Sequence, residues 1–287
     1  MTLARDVAGL RFDNPILLAS GTAGYGRELA GALPLHRLGG LVTKAVSLLP
    51  RAGNRAPRVA EFRGGMLNSV GLANPGVEQV RSHELPWLQQ HLPGVRVLVN
   101  IVGFTVGEYA NVIERLDDQM GHDGYEINLS CPNTSAGGVE FGADPSLVQA
   151  VIDGCRRVTK RPLFAKLSPA LPDIPAIARA ARDAGADGVS LVNTMPGMAF
   201  EGTVARLGNG FGGVSGPALL ATGLLAVQRT AERLPDWPII GVGGVRTATD
   251  VRDYLRAGAS LVAIGTGAMA DPQLPERILN DLERADG

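Results

Sequence analysis

The chain has 287 residues, 45% of them apolar, with 38 glycines and a formal net charge of −1. That balance offers nothing to nucleic acid or an anionic membrane surface, and two cysteines, Cys131 and Cys155, exclude a disulfide framework or a cysteine metal cluster. With so few thiols, no signal-peptide pattern over 1–11 and no apolar run of membrane length, a cytoplasmic location is expected.

A short lead-in, Val7–Phe12, reads as a strand sealing one end. Apolar runs then recur at Ile16–Ser20, Gly40–Val46, Val95–Gly103, Tyr125–Ser130, Leu163–Ser168, Val189–Thr194, Ile239–Val245 and Leu261–Gly265. Helical patterns fill the gaps. Asp144–Pro145 supplies an N-cap and a first-turn proline for Ser146–Val158. Asp173–Ala184 has helical spacing and stops at Gly185, while Thr249–Ala257 starts on a capping-type residue and stops at Gly258. Strands alternating with helices imply parallel βαβ units. Eight units predict an α/β fold with a single TIM (β/α)8 barrel, one domain over 1–287. Two connections exceed ordinary βα loops: Ser47–Asn74 after the second strand and Pro196–Gly216 after the sixth. Both leave the strand ends where barrels keep their sites, so substrate contacts or a lid are expected there.

The fourth run continues as Gly124-Tyr-Glu-Ile-Asn-Leu-Ser-Cys-Pro-Asn133. Tyr125, Ile127 and Leu129 alternate with Glu126, Asn128 and Ser130, a strand whose faces meet different surroundings. Pro132 cannot continue a ladder, which leaves the Cys131 thiol where strand becomes loop. Four other runs also carry an amide or ammonium late in an apolar segment: Lys44, Asn100, Lys166 and Asn193. Lysine occurs only at Lys44, Lys160 and Lys166, and for the two strand lysines the runs offer only Glu126. A buried ammonium needs a negative partner, so an anionic ligand is expected. The glycine-rich ends Gly241–Arg246 and Gly265–Gly267, each before a helix, read as a phosphate site. Gly208–Gly213 matches G-x-G-x-x-G, but it follows no adjoining strand and opens no amphipathic helix, so a dinucleotide site is rejected.

These residues resemble class 1 dihydroorotate dehydrogenases, flavin enzymes of pyrimidine synthesis, and more specifically the class 1B catalytic subunit. The motifs are Ala19-Ser20-Gly21-Thr22, Thr43-Lys44-Ala45, Asn68-Ser-Val-Gly-Leu72, Asn128-Leu-Ser-Cys-Pro-Asn133, Ala165-Lys166-Leu167, Asn193-Thr194 and Gly243-Gly244. The resemblance implies FMN at the barrel top, its phosphate held by Gly243, Gly244, Gly265 and Thr266 with Gly216 nearby. It places Ser20, Lys44, Ala45, Asn100, Asn128, Lys166 and Val192 around the flavin. Substrate contacts are implied for Lys44, Asn68, Ser69, Val70, Gly71, Leu72, Asn128, Asn133, Asn193 and Thr194. It further implies hydride transfer to FMN, with Cys131 as the base and Lys44 and Lys166 as catalytic cations. Electrons would pass to NAD through a partner subunit carrying FAD and [2Fe–2S], within a heterotetramer built on a dimer of this chain.

Other residues read as structural. Cys155 is expected to be a buried small hydrophobe, and His36, His83, His91 and His122 show no metal-ligand spacing. Trp87 and Trp237 are read as packing, and Arg51, Arg55 and Arg58 as a solvated face. A fumarate-dependent class 1A enzyme stays open, as does a flavin oxidoreductase of dihydropyrimidines or dihydrouridine. A Schiff-base aldolase using either strand lysine, or a barrel that only binds, are further alternatives.

Overall fold

All eight apolar runs become strands, and each ladder stops at or before the end of its run. A computed structural model describes residues 3–130, 132–133 and 139–286. The barrel strands are β1 (Ile16–Leu18), β2 (Gly40–Val42), β3 (Arg96–Ile101), β4 (Gly124–Asn128), β5 (Leu163–Leu167), β6 (Gly188–Leu191), β7 (Ile239–Val242) and β8 (Leu261–Ile264). They close in chain order, all parallel, with β8 returning to β1 through Val262↔Ile16 and Ile264↔Leu18. Burial on both faces explains why these strands read as unbroken apolar runs. The tails of the expected runs, among them Lys44 and Asn193, leave the ladder and line the mouth instead.

The lead-in is a hairpin, Arg5–Val7 with Leu10–Phe12. Its two-residue turn, Ala8 (φ 51°) and Gly9 (φ 77°), has positive φ at both positions, which matches the twist of paired strands. Val7 and Phe12 pack against inward side chains of five barrel strands: Leu17, Leu98, Phe164, Ile240 and Leu261. The lead-in therefore seals the barrel with an apolar floor as expected, but as a hairpin rather than the single strand expected over Val7–Phe12. Burying Phe12 contributes about 1.5–3 kcal/mol. Outward strand residues such as Ile127 and Val189 pack instead against the surrounding helices.

Local chemistry sets the helix ends. Asp144 accepts from Ser146 N at 2.8 Å to open Pro145–Val158, and Asp173 accepts from Ala176 N at 3.1 Å to open Ile174–Asp183. The helix expected over Thr249–Ala257 starts earlier than expected. It is Ala248–Arg256, capped by Thr247 rather than Thr249, because Thr247 and Asp250 exchange bonds in a capping box. Between β1 and β2 only a 3-10 turn, Leu35–Arg37, is found, where glycine-rich chain at 21–31 has weak helix propensity. Arg37 instead ties to the last helix, Leu274–Asp286, through Glu276 (2.9 Å) and Asn280 (2.8 Å). No helix among the described residues is long and apolar enough to cross a membrane.

The two long connections are partners. Val59–Phe62 and Gly65–Asn68 from the first join Met195–Gly197 and Gly212–Ser215 from the second in one antiparallel sheet. The G-x-G-x-x-G segment thus leads into a strand of this sheet rather than into a helix.

Candidate active site

Alternation along the barrel strands stacks a polar layer above the apolar floor. On β4, Tyr125 faces outward, bonded to His122 (2.9 Å) and Asp117 (3.0 Å), and Glu126 faces inward. The Glu126 carboxylate accepts from Asn100 Nδ2 at 2.7 Å and from Lys166 Nζ at 3.2 Å through the same oxygen, Oε1. This corrects one expectation: Lys166 has a resident carboxylate, so its charge does not by itself call for an anionic ligand. The two residues are 40 apart in the chain, and barrel closure brings them together.

Of the two strand lysines, Lys44 is the one without a counter-charge among the described residues. Its ammonium has no hydrogen-bond or ion-pair partner among the described residues. It opens into a cavity of about 610 Å³ at the C-terminal mouth of the barrel, within the usual range for cofactor and ligand sites. Lys44, Arg51 and Lys166 line that cavity, and no described lining residue is acidic. The site therefore favours anions.

The cavity gathers most of the residues expected from sequence. From strand ends come Ser20, Lys44, Ala45, Asn128, Lys166 and Val192; from the long connections come the 68–72 segment and Gly216. Asn193 and Thr194 follow β6, and Gly243, Gly244, Gly265 and Thr266 follow β7 and β8. Asn100 does not line the cavity. It is fully buried beneath it, and its Oδ1 has no partner among the described residues. Cys131 lies outside the described residues. Asn133 belongs to a two-residue strand paired with Val139–Glu140, and its side chain likewise lies outside what is described.

Three asparagines present hydrogen-bonding groups in fixed orientations. Asn128 Oδ1 accepts from Asn193 Nδ2 and from Ser130 N, each at 3.2 Å, which leaves Asn128 Nδ2 as a donor toward the cavity. Asn193 Oδ1 accepts from Thr194 N at 2.8 Å, and Tyr109 OH holds the Asn128 backbone carbonyl at 2.9 Å. Asn68 Nδ2 donates to Gly213 O at 3.3 Å across the loop sheet, leaving its Oδ1 as an acceptor.

The opposite end of the cavity suits a phosphate. Gly243 (φ 128°) and Gly244 (φ 77°) adopt backbone that L side chains rarely reach, and a Cβ on Gly244 would sit 2.7 Å from Leu220 N. Thr266 Oγ1 donates to Ser215 Oγ at 2.8 Å, joining the end of β8 to the loop sheet.

Some lining residues were not found from sequence. Arg51, expected as a solvated residue, is exposed but lines the mouth, its guanidinium carbon 4.2 Å from the centre of the Phe104 ring. Asn54 also lines it, its Nδ2 donating to Ser69 Oγ at 2.8 Å. Nothing local marks these residues, because contacts between loop segments have no period in the sequence.

Arg55 and Arg58 also depart from the solvated reading, donating to Gly208 O at 2.6 Å and Asn54 O at 2.5 Å, whereas Cys155, His122, Trp87 and Trp237 remain structural. Burial pushes the Cys155 thiol up to about 12, which leaves it an inert hydrophobe. Burial, and secondarily Arg161, push His122 down to about 3. Trp87 stacks on His91 with ring centres 4.6 Å apart, and Trp237 donates to Ala186 O at 3.3 Å. No metal-capable cluster of His, Cys, Asp and Glu occurs among the described residues.

A family model described as dihydroorotate dehydrogenase matches residues 2–285. A relative from Pelobacter propionicus is 43% identical over 281 residues, covering 97% of this chain and 91% of its own length. One from Desulforudis audaxviator is 45% identical over 280 residues, covering 97% and 90%, and one from Geobacillus kaustophilus is 43% identical over 282 residues, covering 98% and 89%. All three bear the name dihydroorotate dehydrogenase B (NAD(+)), catalytic subunit.

Proposed function

The chain belongs to the dihydroorotate dehydrogenase family, and on that premise we propose that this cavity oxidises (S)-dihydroorotate to orotate, in pyrimidine biosynthesis, with FMN as its bound cofactor. The observation that carries the reading is the cavity itself: it joins cations and oriented asparagines at one end to glycine-rich strand ends at the other.

The residues fit FMN. Open backbone at Gly243 and Gly244, with Gly265, Thr266 and Gly216 beside it, would hold the phosphate. Ser20, Ala45, Asn128 and Val192 would surround the ring with Lys44 and Lys166, and Asn100 would act from below through the pair beneath Lys166. When bound, FMN supplies the hydride acceptor for C6 of the substrate.

The chain's own residues do the rest. Cys131 takes the C5 proton; a free thiol near 8.5 is close enough to neutrality to serve as a base. The Lys44 ammonium favours the thiolate and attracts the substrate carboxylate. Asn68, Asn128 and Asn193, with the 68–72 segment, Thr194 and Asn133, match the ring amides and carboxylate of a dihydropyrimidine acid. The Lys166 ammonium stabilises negative charge as it develops in the cavity. For electron exit, we take the class 1B arrangement: a partner subunit with FAD and [2Fe–2S] relays electrons to NAD within a heterotetramer, and the chain works in the cytoplasm. The relatives named as NAD(+)-linked catalytic subunits support that choice.

Anaerobic mixing of the purified chain with dihydroorotate tests the function. Bleaching of the flavin absorbance within the mixing experiment is expected. A flavin that stays oxidised under dihydroorotate, with normal FMN content, would overturn the assignment.

A further inference from the structure

Glu126 lies under the cavity without reaching it. Its side chain is 2% exposed, and neither Glu126 nor Asn100 lines the cavity, whereas Lys166 does. The ladder explains the layering. Asn100 stands opposite Glu126 between β3 and β4, and Lys166 stands opposite Asn128, two residues nearer the mouth on β4. One carboxylate oxygen takes both the Asn100 donor at 2.7 Å and the Lys166 ammonium at 3.2 Å. An ammonium carries three N–H donors, so this contact uses one and leaves two for a ligand.

We propose that Glu126 is a positioning residue: braced by Asn100, it keeps the Lys166 ammonium charged and directed at the bound cofactor, and so sets how strongly the reduced cofactor is stabilised. The inference rests on the reading that this cavity binds FMN. An ammonium 7% exposed needs a counter-charge to offset its lost hydration before any ligand arrives. With the carboxylate in place, the field reaching the cavity is that of an ammonium partly offset by its partner. The other charged groups described at the cavity are Lys44, at the end of β2, and Arg51 on the connection after it; no described histidine lines it, and Cys131 lies outside the described residues. Removal of the Glu126 charge has two consequences separated by pH. In acid, Lys166 stays protonated and acts without offset, so the reduced cofactor gains. In alkali, Lys166 gives up its proton in the oxidised protein and recovers it on reduction, adding one proton to the uptake.

The experiment is a redox titration of the FMN-loaded chain between pH 6 and 10, without dihydroorotate, comparing wild type, Glu126→Gln and Glu126→Asp. Glu126→Gln should favour the reduced state about tenfold at pH 6, or about 30 mV for a two-electron couple. Toward pH 10 its potential should fall more steeply than wild type, by about 30 mV more per pH unit for the extra proton. Glu126→Asp keeps the charge and should restore the wild-type pH dependence. A Glu126→Gln protein with wild-type potential and slope overturns the proposal, as does a Glu126→Asp protein that behaves like the glutamine variant. If Glu126→Gln does not fold, Asn100→Ala reads the same pair. Loss of the 2.7 Å donor leaves the carboxylate charge less dispersed, so it offsets the Lys166 ammonium more strongly and the potential should fall below wild type; an unchanged potential overturns the proposal. Because these potentials need no substrate, failure of dihydroorotate to bleach wild type counts against the function alone.

Discussion

Replacing Lys166 with methionine keeps most of the side-chain volume and removes only its charge and donors. The structure says what is left behind: a Glu126 carboxylate 2% exposed, holding Asn100 and nothing positive. Breaking a buried ion pair from one side costs about 3–5 kcal/mol, because the stranded charge has neither water nor partner. For a chain of 287 residues that corresponds to a fall in Tm of roughly 5–8 °C. The stranded carboxylate escapes by taking a proton, so the folded variant binds that proton more readily than the unfolded chain does. Its deficit is therefore small in acid and grows as pH rises. The double variant Lys166→Met/Glu126→Gln has no stranded charge and should recover most of the loss. Thermal scans followed by circular dichroism at pH 5 and 8, with FMN removed so that cofactor affinity does not enter, measure all three proteins. A loss below about 1 kcal/mol, or a double variant no more stable than the single, would refute the reasoning.

Other expectations follow from the same site and its surroundings. Cys131→Ala should retain FMN but lose most turnover, and Cys131→Ser should be slow near neutrality and recover as pH rises; flavin reduction by dihydroorotate at the wild-type rate in Cys131→Ala would remove the assigned base. Lys166→Ala should lower the FMN potential and slow flavin reduction, since it deletes a cation and strands Glu126; an unchanged potential would make the lysine structural. The isolated chain should be yellow and dimeric and should not reduce NAD with dihydroorotate until the partner subunit is added; rapid fumarate turnover by the chain alone would favour class 1A. His122 is held neutral, pushed down to about 3 by burial and then by Arg161. Between about 6.5 and 3 the unfolded chain binds the extra proton, so the contribution is complete above 6.5 and is lost in acid by up to about 1.4 kcal/mol per pH unit. The drop in Tm from pH 7 to 5 should shrink in His122→Gln, and equal drops would show that another group sets the acid limit.

Much of the barrel was legible in the chain because its determinants are local or periodic. Strand order followed from alternating apolar runs and helices, and the sealed floor from a short apolar lead-in, although that lead-in read as one strand and is a hairpin turning at Ala8–Gly9. The phosphate end could be read because two glycine-rich strand ends are contiguous in sequence, and their backbone freedom is a property of the residue type. Even the Thr247 cap was missed by only two positions, since either threonine could open the helix and only the reciprocal bond with Asp250 distinguishes them. The residues 68–72 stood out by their motif, although their strand partner did not.

What the tertiary structure decided are pairings between distant residues. Lys44 and Lys166 look alike in sequence, each a lysine late in an apolar strand. Closure of the barrel puts Glu126 3.2 Å from one and leaves the other without a described partner. The lid-like connections after β2 and β6 were visible as long loops, but their joint sheet depends on Gly213 meeting Asn68 across 145 residues, a register no local period encodes. Arg51 changed from a solvated arginine to part of the mouth because Phe104 comes within 4.2 Å of it. Charge and hydrogen bonding act through space over a few ångströms, so the composition of the chain supplied the groups, and the closed barrel determined which of them meet.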